Sequence, residues 1–157
     1  GGATASTTRA VRGGGSQPSP YTNVLDYVTI GSTGNATDFG DLSVTRNEVA
    51  ACGSDTRGVW AGGEDPSGLS NVMDYITIAS TGNATDFGDL LDGTQAQGRS
   101  NMSNNLRGVY ANGATPSLIN VMQYITIAST GNAVDFGDTI TAKQTSTTIS
   151  NGHGGLS

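Results

Sequence analysis

Aspartates recur three residues apart at Asp38 and Asp41, at Asp86 and Asp89, and at Asp135 and Asp138. Carboxylates so spaced could serve as an acid/base pair or give oxygens to calcium. A calcium loop, however, takes about six to eight oxygen ligands, and here a phenylalanine and a glycine separate the two aspartates of each pair. Three equal copies of a catalytic pair would also be redundant. The expectation is structural: one carboxylate of each pair caps a turn, and the other pairs with an arginine of a neighbouring unit, Arg9, Arg57 or Arg107. His153 has no nucleophile pattern near it, so triad chemistry lacks a partner. A single histidine and a single cysteine provide no zinc-ligand cluster, and Cys52 can form no intrachain disulfide. Cys52 reads as a small buried apolar residue. The glycine-rich stretches at 12–15 and 61–68 are not followed by a helical pattern that could bind phosphate. Asn35-Ala36-Thr37, Asn83-Ala84-Thr85 and Asn101-Met102-Ser103 have the form of glycosylation acceptors and read more simply as turn residues. No catalytic residue, metal or cofactor is expected.

These residues sit in a paragraph of about 48 residues written three times: NVLDYVTIGSTGNATDFGDL at 23–42, NVMDYITIASTGNATDFGDL at 71–90 and NVMQYITIASTGNAVDFGDT at 120–139. Upstream, TTRAVRGGG (7–15), DTRGVWAGG (55–63) and NLRGVYANG (105–113) align as well. The repeats run over approximately 7–54, 55–104 and 105–152, within one domain spanning 1–157. The segment 150–157 reads as the start of a fourth copy, with His153 where the others have arginine. Variation is concentrated in the loops SQPSPYT (16–22), EDPSGLS (64–70) and ATPSLI (114–119). Such repetition directs the search for function to a repeated architecture before individual side chains.

The elements that position these residues read as strands. In 23–30, Val24, Val28 and Ile30 fall on one face and Leu25 and Tyr27 on the other, as in a strand sandwiched between layers. Ser32-Thr33-Gly34-Asn35 is a turn cluster whose glycine and asparagine suit positive φ. It closes a hairpin onto 36–42, with Phe39 and Leu42 facing the core. Arg57–Gly63 is a third strand, and Glu48–Cys52 a fourth. Trp60 and Tyr110 read as core residues. With 24 glycines and only 13% charged residues, the composition suits short strands and tight turns, and no segment has sustained helical periodicity. The class is all-β, with about four short antiparallel strands per repeat.

A net charge of −6 with one lysine leaves no basic stripe for nucleic acid or an anionic membrane surface. No apolar run reaches the roughly 20 residues of a membrane-spanning helix, and no signal-peptide pattern is visible. The sequence does not open on methionine, as in a processed product or a piece of a longer chain.

The order of landmarks resembles a kelch-type β-propeller blade. The blade's terminal di-glycine corresponds to Gly14-Gly15 and Gly62-Gly63, its tyrosine to Tyr27, Tyr75 and Tyr124, and its late aromatic to Phe39, Phe87 and Phe136. Asn112 replaces the first glycine in the third copy. More closely, DYITIASTGNATDFGDL is similar to kelch-like repeats of virion structural and tail-fibre proteins of phages, notably of marine and cyanobacterial hosts. The resemblance spans essentially the whole chain. It implies a non-enzymatic virion component that offers a rigid surface for assembly or host attachment, with self-association, other virion proteins or a host-surface glycan as partners. Propellers have about 4–8 blades, so three repeats imply a ring completed by oligomerisation or by a longer parent chain. Three repeats of four strands also fit a β-trefoil or β-prism, architectures common in carbohydrate binders. A lectin reading would place ligand contacts on rim loops at Tyr21, Asp65, Ser67 and Ser117. A glycan-cleaving enzyme would need convergent carboxylates outside the repeat, where Glu48 and Glu64 are the only glutamates.

Overall fold

The computed structural model describes residues 1–16, 19–92, 100–115, 117–143 and 148–150. Within them the chain is all-β, without a helix. Strands β1 (Gly2–Ala5), β2 (Arg9–Gly13), β3 (Thr22–Thr29) and β4 (Thr37–Arg46) form the first sheet, each antiparallel to the next. Next come β5 (Ala50–Gly53), β6 (Arg57–Ala61), β7 (Glu64–Asp65), β8 (Gly68–Leu69), β9 (Val72–Thr77) and β10 (Thr85–Asp89). Of these, β5, β6, β9 and β10 make the second antiparallel sheet, and β7 with β8 is a small ribbon inside the β6–β9 connection. Strands β11 (Ser100–Ser103), β12 (Arg107–Thr115), β13 (Ser117–Thr126) and β14 (Val134–Asp138) make the third. Strand β15 (Thr148–Ser150) lies parallel to β11. None of the sheets closes on itself.

Each repeat thus owns one four-stranded meander. The strand predicted at 48–52 forms as β5, but pairs with β6 and so opens the following sheet. First strands lie side by side, β1 next to β5 and β5 next to β11.

The di-glycine landmark has a backbone cause. Gly14, Gly62 and Asn112 take φ of 62°, 65° and 62°, followed by Gly15, Gly63 and Gly113 at 117°, 102° and 124°. Asparagine is among the few side chains that tolerate the left-handed region, so the third copy keeps the bend without its first glycine. In the β3–β4 turn the expectation is corrected: neither Gly34 nor Asn35 has positive φ, although Gly82 and Gly131 do, and Asn83 and Asn132 do not. The asparagine is there for its side chain.

The core lies between sheets. One cluster joins Val11, Leu25 and Phe39 of the first sheet to Trp60, Ile76 and Ile78 of the second. The other joins Val59, Met73 and Phe87 to Tyr110, Ile125 and Ile127 of the third. Trp60 and Tyr110 are fully buried, as their sequence context predicts, and reach back into the preceding sheet. Trp60 Nε1 donates to the Gly2 carbonyl at 3.0 Å, and the Tyr110 hydroxyl lies 3.0 Å from Cys52 Sγ. Burial pushes the Cys52 thiol up to about 12, against a smaller lowering effect of the Tyr110 hydrogen bond. The residue is a neutral packing element.

Candidate functional site: the junctions between repeats

The repeated polar residues converge where one sheet meets the next. A short turn before the second strand sets each arginine: Ser6 Oγ accepts from Arg9 N at 3.1 Å, Ser54 Oγ from Arg57 N at 3.2 Å, and Asn104 Oδ1 from Arg107 N at 2.7 Å. Serine and asparagine offer the backbone this local acceptor more readily than other residues. The guanidinium of Arg9 then lies 4.7 Å from the Tyr27 ring centroid, that of Arg57 4.3 Å from Tyr75, and that of Arg107 4.7 Å from Tyr124. The tyrosines in turn meet Phe39, Phe87 and Phe136 edge-to-face at 5.8, 5.9 and 5.9 Å. Each cation–π contact contributes on the order of 0.5–2 kcal/mol.

The arginines do not pair with the repeated aspartates, which corrects the sequence expectation. Arg9 Nη1 donates to the carbonyls of Ile78 (3.1 Å) and Ala79 (2.9 Å) in the next repeat, and Arg57 Nη1 donates to that of Ile127 (2.9 Å). Asp38, Asp86 and Asp135 lie exposed at the outer strand, where Asp135 Oδ1 accepts from Gly137 N at 3.3 Å.

A second set of contacts staples the outer edges. Gly82 N and Ala84 N donate to the carbonyls of Phe39 and Asp41, both at 2.7 Å. Asn83 Oδ1 accepts from Asp41 N at 3.1 Å. The same three bonds recur one repeat later. Gly131 N donates to Phe87 O at 2.7 Å, Ala133 N to Asp89 O at 2.8 Å, and Asp89 N to Asn132 Oδ1 at 3.0 Å. Thus the Thr-Gly-Asn-Ala turns of the second and third units each cap the edge strand of the unit before. The glycine within Asp-Phe-Gly-Asp is what admits it: a Cβ on Gly88 would lie 2.5 Å from the Gly131 carbonyl, and one on Gly40 would overlap Gly82.

The first junction also holds an ion pair that the sequence did not reveal. Arg46 and Asp74, both fully buried, are paired, and Arg46 Nη1 also donates to the carbonyls of Gly62 and Val72. Ser43 Oγ donates to the other Asp74 oxygen. Burial lowers the Arg46 pKa, with Asp74 opposing. In the next junction Gln123 replaces the aspartate, and its Oε1 accepts from Leu91 N at 2.8 Å. Because the pair is not repeated, pattern alone could not mark it. The asparagine staple could have been read from the identity of 33–36 with 81–84, since a turn held so constant must contact something.

The rim-loop candidates come together only in part. The Tyr21 hydroxyl donates to Glu64 Oε1 at 3.4 Å, bringing the first repeat's loop to the β7–β8 ribbon, where Ser67 N donates to Asp65 Oδ1 at 2.7 Å. Desolvation and then the Glu64 carboxylate raise the Tyr21 phenol above its ordinary range. Ser117 opens β13 in the third repeat and is exposed. Three hollows are described, and these four residues line none of them. Two hollows of about 220 and 200 Å³ lie under equivalent turns, one between Tyr75, Ser80 and Asn83 and the other between Tyr124, Ser129 and Asn132. Among the described residues, no group of three histidine, cysteine, aspartate or glutamate side chains is placed to hold a metal. No described helix is long and apolar enough to cross a membrane. His153 lies outside the described residues.

A comparison with protein-family models and with curated proteins finds no match for this chain.

Proposed function

We propose that the chain is a non-enzymatic structural module of a phage virion or appendage, built from kelch-like propeller blades and offering a rigid β surface for assembly or host attachment. One observation carries the structural part: where two repeats meet, the repeated arginines and asparagines, Arg9, Arg57, Asn83 and Asn132, are engaged in joining sheets. Four-stranded meanders with adjacent first strands favour the blade reading over a trefoil or prism. The phage setting rests on the resemblance of the repeats. Peptide mass spectrometry of density-banded particles tests it: the protein should co-band with particles, and recovery only in the soluble fraction would count against a virion role.

The twin hollows favour a second reading, a lectin-type domain with like sites in successive repeats. Hydroxyl, amide and tyrosine groups line both. Saturable binding on a glycan array, competed by free sugar, would support it.

A further inference from the structure

The junction just described is made twice, between the first and second sheets and between the second and third. Both of its halves are also present, unmated, at the two ends of the stack.

On the first sheet the receiving half is bare. Ile30 is 54% exposed, whereas its equivalents Ile78 and Ile127 are each 1% exposed within a junction. Val28 is likewise exposed, against buried Ile76 and Ile125. A mainly apolar hollow of about 260 Å³, lined by Ala3, Ala10, Val28 and Ala36 with Arg12 and Asp26 among its other residues, lies beside them. On the third sheet the donating half is bare. Phe136 is 49% exposed where Phe39 and Phe87 are each 2% exposed. Beside it, Val109 and Met122 are half-buried where Val59 and Met73 are completely covered. A Cβ on Gly137 would meet open space, unlike those on Gly40 and Gly88. Arg107 sits on Tyr124 as its counterparts do, yet is exposed.

We infer that the third-sheet face docks head to tail on the first-sheet face of a second copy of this chain, remaking the same junction. Phe136 enters the hollow beside Val28 and Ile30. Arg107 donates to the carbonyls at Ile30 and Gly31, as Arg9 does at Ile78 and Ala79. Asn35 Oδ1 accepts from Asp138 N, as Asn83 does from Asp41. Lys143 follows Phe136 at the distance at which Arg46 follows Phe39, and so approaches Asp26, the counterpart of Asp74. Arg12 stands where Trp60 and Tyr110 are buried, and it faces Asp26 across β2 and β3, so docking covers opposite charges together. Strand β15 lies parallel to β11 on the side where the incoming β1 would come to rest, as β1 rests beside β5, so docking displaces β15. Complementary faces at opposite ends make the contact heterologous, giving a ring if the rotation closes and a filament if it does not.

This inference rests on the stacked-repeat reading above. The test is solution mass by light scattering on the whole chain and on two variants, Ile30→Glu and Phe136→Glu, each altering a side chain already about half exposed. Wild type should have at least twice the monomer mass, and each variant alone should be monomeric. Mixed in equal amounts they should give a dimer and nothing larger, because only one intact face of each kind remains. Gly137→Ala, which meets nothing within its own chain, should also dissociate wild type. A monomeric wild type, or variants that associate as wild type does, would overturn docking. The banding of the protein with particles is independent of that result, so the two readings can fail separately.

Discussion

Arg46 and Asp74 show how much one unrepeated pair can matter within a repetitive chain. Both are fully buried, and the guanidinium also serves two carbonyls of the second sheet. Removing one partner strands a charge in the core, at a cost of about 3–5 kcal/mol, whereas an apolar pair of similar volume can be nearly neutral. Arg46→Met is therefore expected to lower the urea midpoint strongly, and Arg46→Met combined with Asp74→Leu to recover much of the loss. Equal midpoints for the single and double variants would contradict the pairing. At this scale the sequence was legible where type implies environment: Trp60, Tyr110, Phe39 and Cys52 are buried because they are apolar and lie on strands. It misled for the arginines. Their acceptors are backbone carbonyls, which every residue possesses, so no residue type announces them.

Strands and turns followed the sequence more closely, because a period of two and a recurring glycine cluster are direct consequences of backbone geometry. The strand at 48–52 was assigned to the repeat it follows, and its membership in the next sheet depends on pairing across the chain. The edge strands carry the sharpest test. Gly88 and Gly137 have φ of 134° and 125°, so alanine at either adds backbone strain, on the order of 1–3 kcal/mol. Only at Gly88 does the added Cβ also run into a neighbouring turn, at Gly131. Gly88→Ala should thus destabilise the folded chain clearly more than Gly137→Ala in thermal or urea melts. Equal losses would mean that the turn-to-edge staple contributes little.

For the whole molecule, near-identical units make stability a sum of sheet and junction contributions, and the ends differ from the middle only in what they face. That difference was not legible in the repeated residues: Ile30 and Ile78 occupy the same place in the pattern, and only the stack decides which is covered. The staples between sheets also have a mechanical meaning. The second and third Thr-Gly-Asn-Ala turns each hold the preceding edge strand by three hydrogen bonds, while strands within a sheet are held along their lengths. Tension applied at the two ends therefore loads the staples before the sheets. A chain stretched in an optical trap should lengthen in separate steps, each releasing one repeat of about 48 residues and roughly 160 Å of contour. The protein would then yield under load one sheet at a time, behaving as an extensible tether.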